Sequence, residues 1–205
     1  MILARWPILS SRNFPLPKVG LLDHHSIQQG VLEAVVAVPS GAIRVYSTHL
    51  SHLTPDTRLP QVEALCDIVR RAPEEGGAWC GDHPNPESGW LEEDEPPMPE
   101  TAVVAGDLNI RPGAPEYDLL VGPRAGKHGG RLRRRDGLHD AWVAAGNPEA
   151  SGITCWPKKP VGPVTERRID HVLVTSDLLT HIRGARIDDE CDASDHQPLW
   201  VDFDI

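Results

Sequence analysis

Nothing in this sequence approaches the roughly 20 consecutive apolar residues that a membrane-spanning helix needs, so no transmembrane segment is expected. The opening Met1-Ile2-Leu3-Ala4-Arg5-Trp6-Pro7 lacks the long apolar run of a signal peptide. The four cysteines, Cys66, Cys80, Cys155 and Cys191, form no Cys-x-x-Cys pair, which argues against a zinc knuckle or a redox dithiol. Incidental thiols and a reducing cytoplasm are the default expectation. No internal repeat is present. Lys and Arg are absent between Pro73 and Glu100, where nine acids fall, so the rest of the chain carries only about −1 of the −10 net charge. The acidity therefore belongs to one segment and says nothing about the sign of an active face.

What is present suits one globular domain. A chain of 205 residues with 40% apolar and 24% charged residues can bury one core and is short for two. A single domain over residues 1–205 is expected, with the acidic, proline-rich residues 73–100 as a solvated insertion without regular structure. Val31 to Val38 and Ile43 to Thr48 read as a hairpin around Pro39-Ser40-Gly41. Apolar positions from Thr57 to Arg71 recur at helical spacing, with Pro60 tolerable only in the first turn. Thr101 to Ala105 reads as a strand broken by Gly106, and residues 116–121 as a helical turn or two. Residues 122–135 form a Gly-rich basic loop, followed by a short helix around Leu138 to Ala145. Ile169 to Thr175, Ile182 to Ile187 and Leu199 to Phe203 complete the strands. Strands interleaved with helices predict an α/β layered fold.

Four clusters sit at predicted strand ends: Ser47-Thr48-His49-Leu50, Gly106-Asp107-Leu108-Asn109, Arg168-Ile169-Asp170-His171 and Ser194-Asp195-His196-Gln197. Each alone is weak, since a His after a strand or a Gly-Asp turn is common. Strand ends in α/β sheets open on one crevice, however, and together these clusters offer imidazoles, carboxylates and a carboxamide. That set suits a hard divalent cation and a phosphoryl group. Trp142 and Trp156 read as core or rim aromatics, with core the better expectation.

In order and spacing the clusters resemble the endonuclease/exonuclease/phosphatase superfamily, with Ile2-Leu3-Ala4-Arg5-Trp6-Pro7-Ile8 similar to an early strand of that family. The resemblance implies a four-layer α/β sandwich and hydrolysis of a phosphodiester or phosphomonoester with one Mg²⁺ or Mn²⁺. It implies that Asp107 orients and deprotonates the attacking water, with Asn109 beside it holding that water or a phosphoryl oxygen. His49 and His196 donate to non-bridging oxygens, and Asp170 fixes the tautomer of His196. Asp195 binds the cation. His171 stands where the family often has an aromatic residue and reads as structural. Arg12, Arg58 and Arg111 lie near the clusters as substrate-binding candidates, with the Arg131 to Arg135 run as a further basic patch.

The family pattern also has a strand ending in Asn and another ending in a metal-binding Glu upstream of the Ile2 strand. Neither is in this sequence, and Asp23 and Glu33 fall on the wrong side of it, so the fold is expected without its first strands and the gene start further upstream. An impaired relative that binds a phosphorylated ligand or a protein is the alternative to an enzyme. Calcineurin-like metallophosphoesterases need an early Asp-x-His and a later Gly-x-His, and neither motif occurs. A phosphorylated substrate is expected; its class, with nucleic acid among the candidates, and the oligomeric state are not legible.

Overall fold

The computed structural model describes residues 1–77, 79–81, 83–85, 87, 89, 94–127, 129–132, 134, 136–156 and 167–205. Asp82, Pro86, Glu92 and Glu93 of the acidic stretch, and Arg133 and Arg135 of the basic run, lie outside them. The strands are β1 (Ile8–Pro15), β2 (Gly30–Val38), β3 (Gly41–His49), β4 (Ala102–Asp107), β5 (His139–Asp140), β6 (Asp170–Val174), β7 (Ile182–Ile187) and β8 (Leu199–Phe203). The helices are α1 (Pro55–Glu75), α2 (Pro115–Val121) and the single turn α3 (Ala141–Ala144). A 3₁₀ segment, Ser176–His181, links β6 to β7.

Six strands make one sheet in the order β1-β2-β3-β4-β6-β5, and β7 pairs with β8 in a second. Alternation along the strands sorts side chains to two faces. Val31, Tyr46, Ala102, Val104 and Leu173 pack with Val62, Leu65 and Val69 of α1 and Leu120 of α2. Val103, Val172 and Val174 face the other way, against Ile182, Val201 and Phe203 of the small sheet. The result is an α/β layered fold. Among the described residues no helix is long and apolar enough to cross a membrane, and all four cysteines are free thiols.

Several boundaries differ from the sequence expectation, each for a physical reason. The first strand begins at Ile8 rather than Ile2. Pro7 has no N–H for a ladder and contributes only its carbonyl, which accepts from Ala37 N at 3.0 Å. Helix α1 starts at Pro55, so Pro60 lies beyond its first turn; the carbonyl it leaves unpaired is that of Asp56, which is exposed to water. The helix also runs through Pro73 to Glu75, into the stretch expected to be irregular. Pro73 strips the partner from the carbonyl of Val69, and the buried Arg44 supplies a replacement at 2.7 Å. Leu138 to Ala145 is not one helix: His139 and Asp140 pair with β6, and the Asp140 side chain then caps α3 by accepting from Trp142 N at 2.9 Å.

Arg44 anchors a wider buried network. It donates to the Tyr46 hydroxyl at 2.7 Å and to the Glu100 carbonyl at 2.9 Å. Tyr46 donates in turn to Glu33 at 2.6 Å, and Glu33 is clamped by Arg12 through two oxygens at 2.6 and 3.0 Å. Replacing Arg44 with Leu strands these acceptors in the core, which is expected to cost about 3–5 kcal/mol of folding stability. Urea unfolding measures it; a loss under about 1 kcal/mol would show that the network is dispensable.

Candidate active site

Strand register builds the site. β3 and β4 run parallel with His49 opposite Asp107, and β4 and β6 run antiparallel with Asp107 opposite Asp170. His49, Asp107 and Asp170 thus occupy one rung across three neighbouring strands, and residues of a rung point to the same face. Gly106 belongs to β4 rather than breaking it. At φ 153° its hydrogen faces Thr48, whose carbonyl oxygen would lie 1.8 Å from any Cβ, so only glycine lets the strands approach at this point.

His196 reaches the rung from its own loop through Cys155, which bridges both His196 and Arg167. Its Nδ1 lies 2.9 and 3.1 Å from the two oxygens of Asp170, so Nδ1 carries the proton and Nε2 is turned toward Asp107. Asp107 Oδ2 stands 3.9 Å from His196 Nε2 and 3.5 Å from His49 Nε2. Both separations exceed a good hydrogen bond. His49 is exposed, whereas Asp107, Asp170 and His196 are half-buried.

The Asp107-Leu108-Asn109 turn is locked from several sides. Asn109 takes a left-handed φ of 54°, which Asn tolerates, and its N–H donates to Asp107 Oδ1 at 2.9 Å. Its side-chain amide donates to the Leu50 carbonyl at 3.0 Å, so one donor expected to face substrate holds the β3 end instead. Below the turn, the buried His171 meets the Ile110 carbonyl through Nε2 at 2.8 Å. Its Nδ1 lies 3.1 Å from Arg168 and 3.7 Å from Asp140 Oδ2, so both ring nitrogens are engaged and the residue has a structural task. Arg168 also binds Asp140 at 2.7 Å. Burial pushes the Asp140 carboxyl up, but His171, Arg168 and Tyr117 around it outweigh burial and hold it below the ordinary range.

The remaining expectations divide. Asp195 is exposed, its carboxylate is 3.4 Å from Ser194 Oγ, and it is not in the group formed by Asp107, Asp170 and His196. Arg12 is held by Glu33 and Glu75, and Arg58 by Glu116 and the Ser51 carbonyl; none of these partners belongs to the rung. Arg111 is exposed two residues past Asn109. The basic loop is largely spoken for: Arg131 binds Glu149 and Asp118 and stacks on Tyr117, Arg124 binds Glu149, and Arg134 binds Asp136. Trp142 is in the core, but Trp156 is 53% exposed and donates its N–H to the Asp195 carbonyl, so it is a rim residue. Sequence reasoning missed Thr154, whose buried hydroxyl accepts from Ile169 N and Asp170 N at 3.0 Å each and seats Asp170. A lone Thr between Ile153 and Cys155 carries no signal of this.

Donor atoms of Asp107, Asp170 and His196 lie within 4.8 Å of one another. Two carboxylates and an imidazole at that separation are a candidate site for a divalent cation. Burial pushes the Asp107 carboxyl above the ordinary range; the Asn109 N–H opposes this, the Asp170 charge adds to it, and the two imidazoles oppose it. A cation would relieve the conflict between the two carboxylates.

A sequence profile of the Endonuclease/Exonuclease/phosphatase family matches residues 1–196. No curated protein sequence matches the chain. Solved structures share its fold at low identity. A truncated TDP2 from Caenorhabditis elegans superposes with a TM-score of 0.58 at 16% identity, over 97% of this chain and 66% of that one. A mannosyl-6-phosphatase from Bacteroides thetaiotaomicron gives 0.56 at 14%, over 98% and 67%. A 3′ phosphatase, NExo, from Neisseria, bound to a product DNA hairpin, gives 0.58 at 21%, over 98% and 73%. The chain therefore spans about two thirds of the length of the TDP2 structure.

The raised Asp107 carboxyl has a measurable cost. The folded state holds its proton more tightly than the unfolded chain, so this group's contribution to stability falls as pH rises from about 3.9 through the folded-state value. Asp107→Asn, which keeps the Asn109 contact without the charge, is expected to raise the Tm at pH 7 in EDTA, with a smaller gain at pH 3. A Tm at pH 7 equal to or below wild type would contradict this.

Proposed function

Because this chain belongs to the endonuclease/exonuclease/phosphatase family, we propose that it hydrolyses a phosphoester bond at the His49–Asp107–Asp170 rung by in-line attack of water. The observation that supports this most directly is the convergence of both imidazoles on one oxygen of Asp107. Asp107 would orient the water and take its proton through the oxygen that both imidazoles face. His49, at the exposed end of the rung, would donate to a non-bridging oxygen as negative charge grows there. His196, with protons on both ring nitrogens, would do the same from the opposite side through Nε2, while its Nδ1–H is held in register by Asp170. Asn109 keeps the turn at the angle that aims Asp107.

Family members generally use divalent metals. Mg²⁺ is commonly moored by one or two carboxylates, with water and phosphate completing its shell, and Asp107 and Asp170 would hold it here. When bound, it supplies positive charge against the phosphoryl and leaving oxygens. The sequence-based alternative, Asp195, has its carboxylate outside that group.

The names of the structural relatives speak of a phosphatase acting on a sugar phosphate and of one bound to a DNA product. Phosphoester chemistry is common to both, and substrate class is set elsewhere on the surface.

Hydrolysis of bis(4-nitrophenyl) phosphate with and without Mg²⁺ or Mn²⁺ tests the reading. Asp107→Ala is expected to lower kcat/KM by roughly 10²–10⁴, and His49→Gln by roughly 10²–10³. Titration with Mn²⁺, followed by its paramagnetic resonance signal, is expected to weaken at least about tenfold in Asp170→Asn and less in Asp195→Asn. Turnover that survives Asp107→Ala would remove this mechanism. Phosphate binding without turnover under any cation would leave a binding module.

A further inference from the structure

Beside the rung lies a hollow of about 450 Å³ walled by Arg111, Arg167 and Arg168, with Ser151 and Gly152 among the residues between them. Among the described residues no acid lines it, in a chain whose net charge is −10. Its walls are continuous with the site. Arg111 follows Asn109 by two residues, Arg168 precedes Asp170 by two, and Arg167 is joined to His196 through Cys155. Gly152 sits at φ +86°, where a Cβ would meet Ile187 at 2.8 Å and the Arg168 side chain at 3.3 Å, so the floor has no room for a larger residue.

The arginines differ in what they already hold. Arg168 is neutralised by Asp140 and bound to the Glu149 carbonyl, which anchors the wall. The Nε of Arg167 is buried and has no hydrogen-bond partner, as is the Nε of Arg168. No ion pair engages Arg167 among the described residues. Buried guanidinium donors of this kind are normally satisfied, so Arg167 keeps unused donor capacity at the wall of the hollow. Guanidinium donors in a fixed fork match phosphate oxygens.

Building on the hydrolase reading, we infer that the Arg111–Arg167–Arg168 hollow binds a non-scissile phosphate of the substrate. The enzyme accordingly favours esters that carry a further phosphate close to the one it cleaves. Arg167 is the specificity-determining residue: it discriminates between substrates by charge and touches no reacting atom.

The test uses the full chain and a substrate pair with an identical scissile bond: thymidine 5′-(4-nitrophenyl phosphate), with and without a 3′-phosphate. Wild type is expected to prefer the 3′-phosphorylated ester, chiefly through KM. Arg167→Gln is expected to reduce that preference roughly tenfold, and Arg167→Lys to restore part of it. Arg186→Gln, a loss of charge on β7 away from the hollow, leaves the preference intact. An equal fall for both substrates in Arg167→Gln, or no change in their ratio, overturns the proposal. Competition by oligothymidylate against thymidine 3′,5′-bisphosphate then separates the two sources of phosphate. Stronger competition by the oligomer assigns the hollow to a nucleic acid strand, and stronger competition by the bisphosphate to a small metabolite.

Failure of the hydrolase reading is distinguishable. Fluorescence anisotropy of a labelled thymidine 3′,5′-bisphosphate in EDTA reads the hollow without chemistry. Binding that weakens about tenfold in Arg167→Gln, with no turnover of any ester, sustains the hollow and removes the enzyme. Turnover with no dependence of binding on Arg167 does the reverse.

Discussion

Pairing register is the constraint on which everything else in this molecule rests. Three residues separated by 58 and 63 positions in the chain become neighbours because β3 and β4 align His49 with Asp107, and β4 and β6 align Asp107 with Asp170. A slip of one residue in either ladder would send one of these side chains to the opposite face of the sheet. The hydrophobic pattern guards against that slip. Val104 and Tyr46 must face α1 while Val103 and Val172 face the small sheet, and the same parity places the polar strand ends together.

Behind the rung, buried polar groups do what apolar packing does elsewhere. His171 ties the Ile110 carbonyl to Arg168, Arg168 ties itself to Asp140, and Asp140 both caps α3 and receives the Tyr117 hydroxyl at 2.6 Å. Leu108 and Ile110 anchor the segment beyond Asp107 in the core, and these bonds hold its polar groups. Hydrogen bonds are directional, and such a network specifies one loop geometry where oily contacts would accept several. The clamp around Glu33 serves the middle of β2 and β3 in the same way.

The elements with long periodic patterns were legible in the sequence. The hairpin of Val31 to Thr48, the body of α1 and the last strand needed only alternation or helical spacing. The four strand-end clusters were legible as a set because strand ends open on one crevice. What escaped reading depended on partners far away. That α1 passes Pro73 follows from a guanidinium contributed by β3. That Arg12 and Arg131 are occupied follows from carboxylates 21 and 18 residues distant. Propensity and spacing hold no information about such pairings, which is why surface-like arginines were read as ligand contacts and Gly106 as a break.

Gly106 carries a consequence of its own. With a neighbouring carbonyl oxygen occupying the place of a first side-chain carbon, the strands carrying His49 and Asp107 meet with no spacer between them. The gauge of the candidate site is thus set by a missing methyl group. Drift at this codon has no mild step available, since even alanine, the smallest replacement, would pry the imidazole away from the carboxylate it faces.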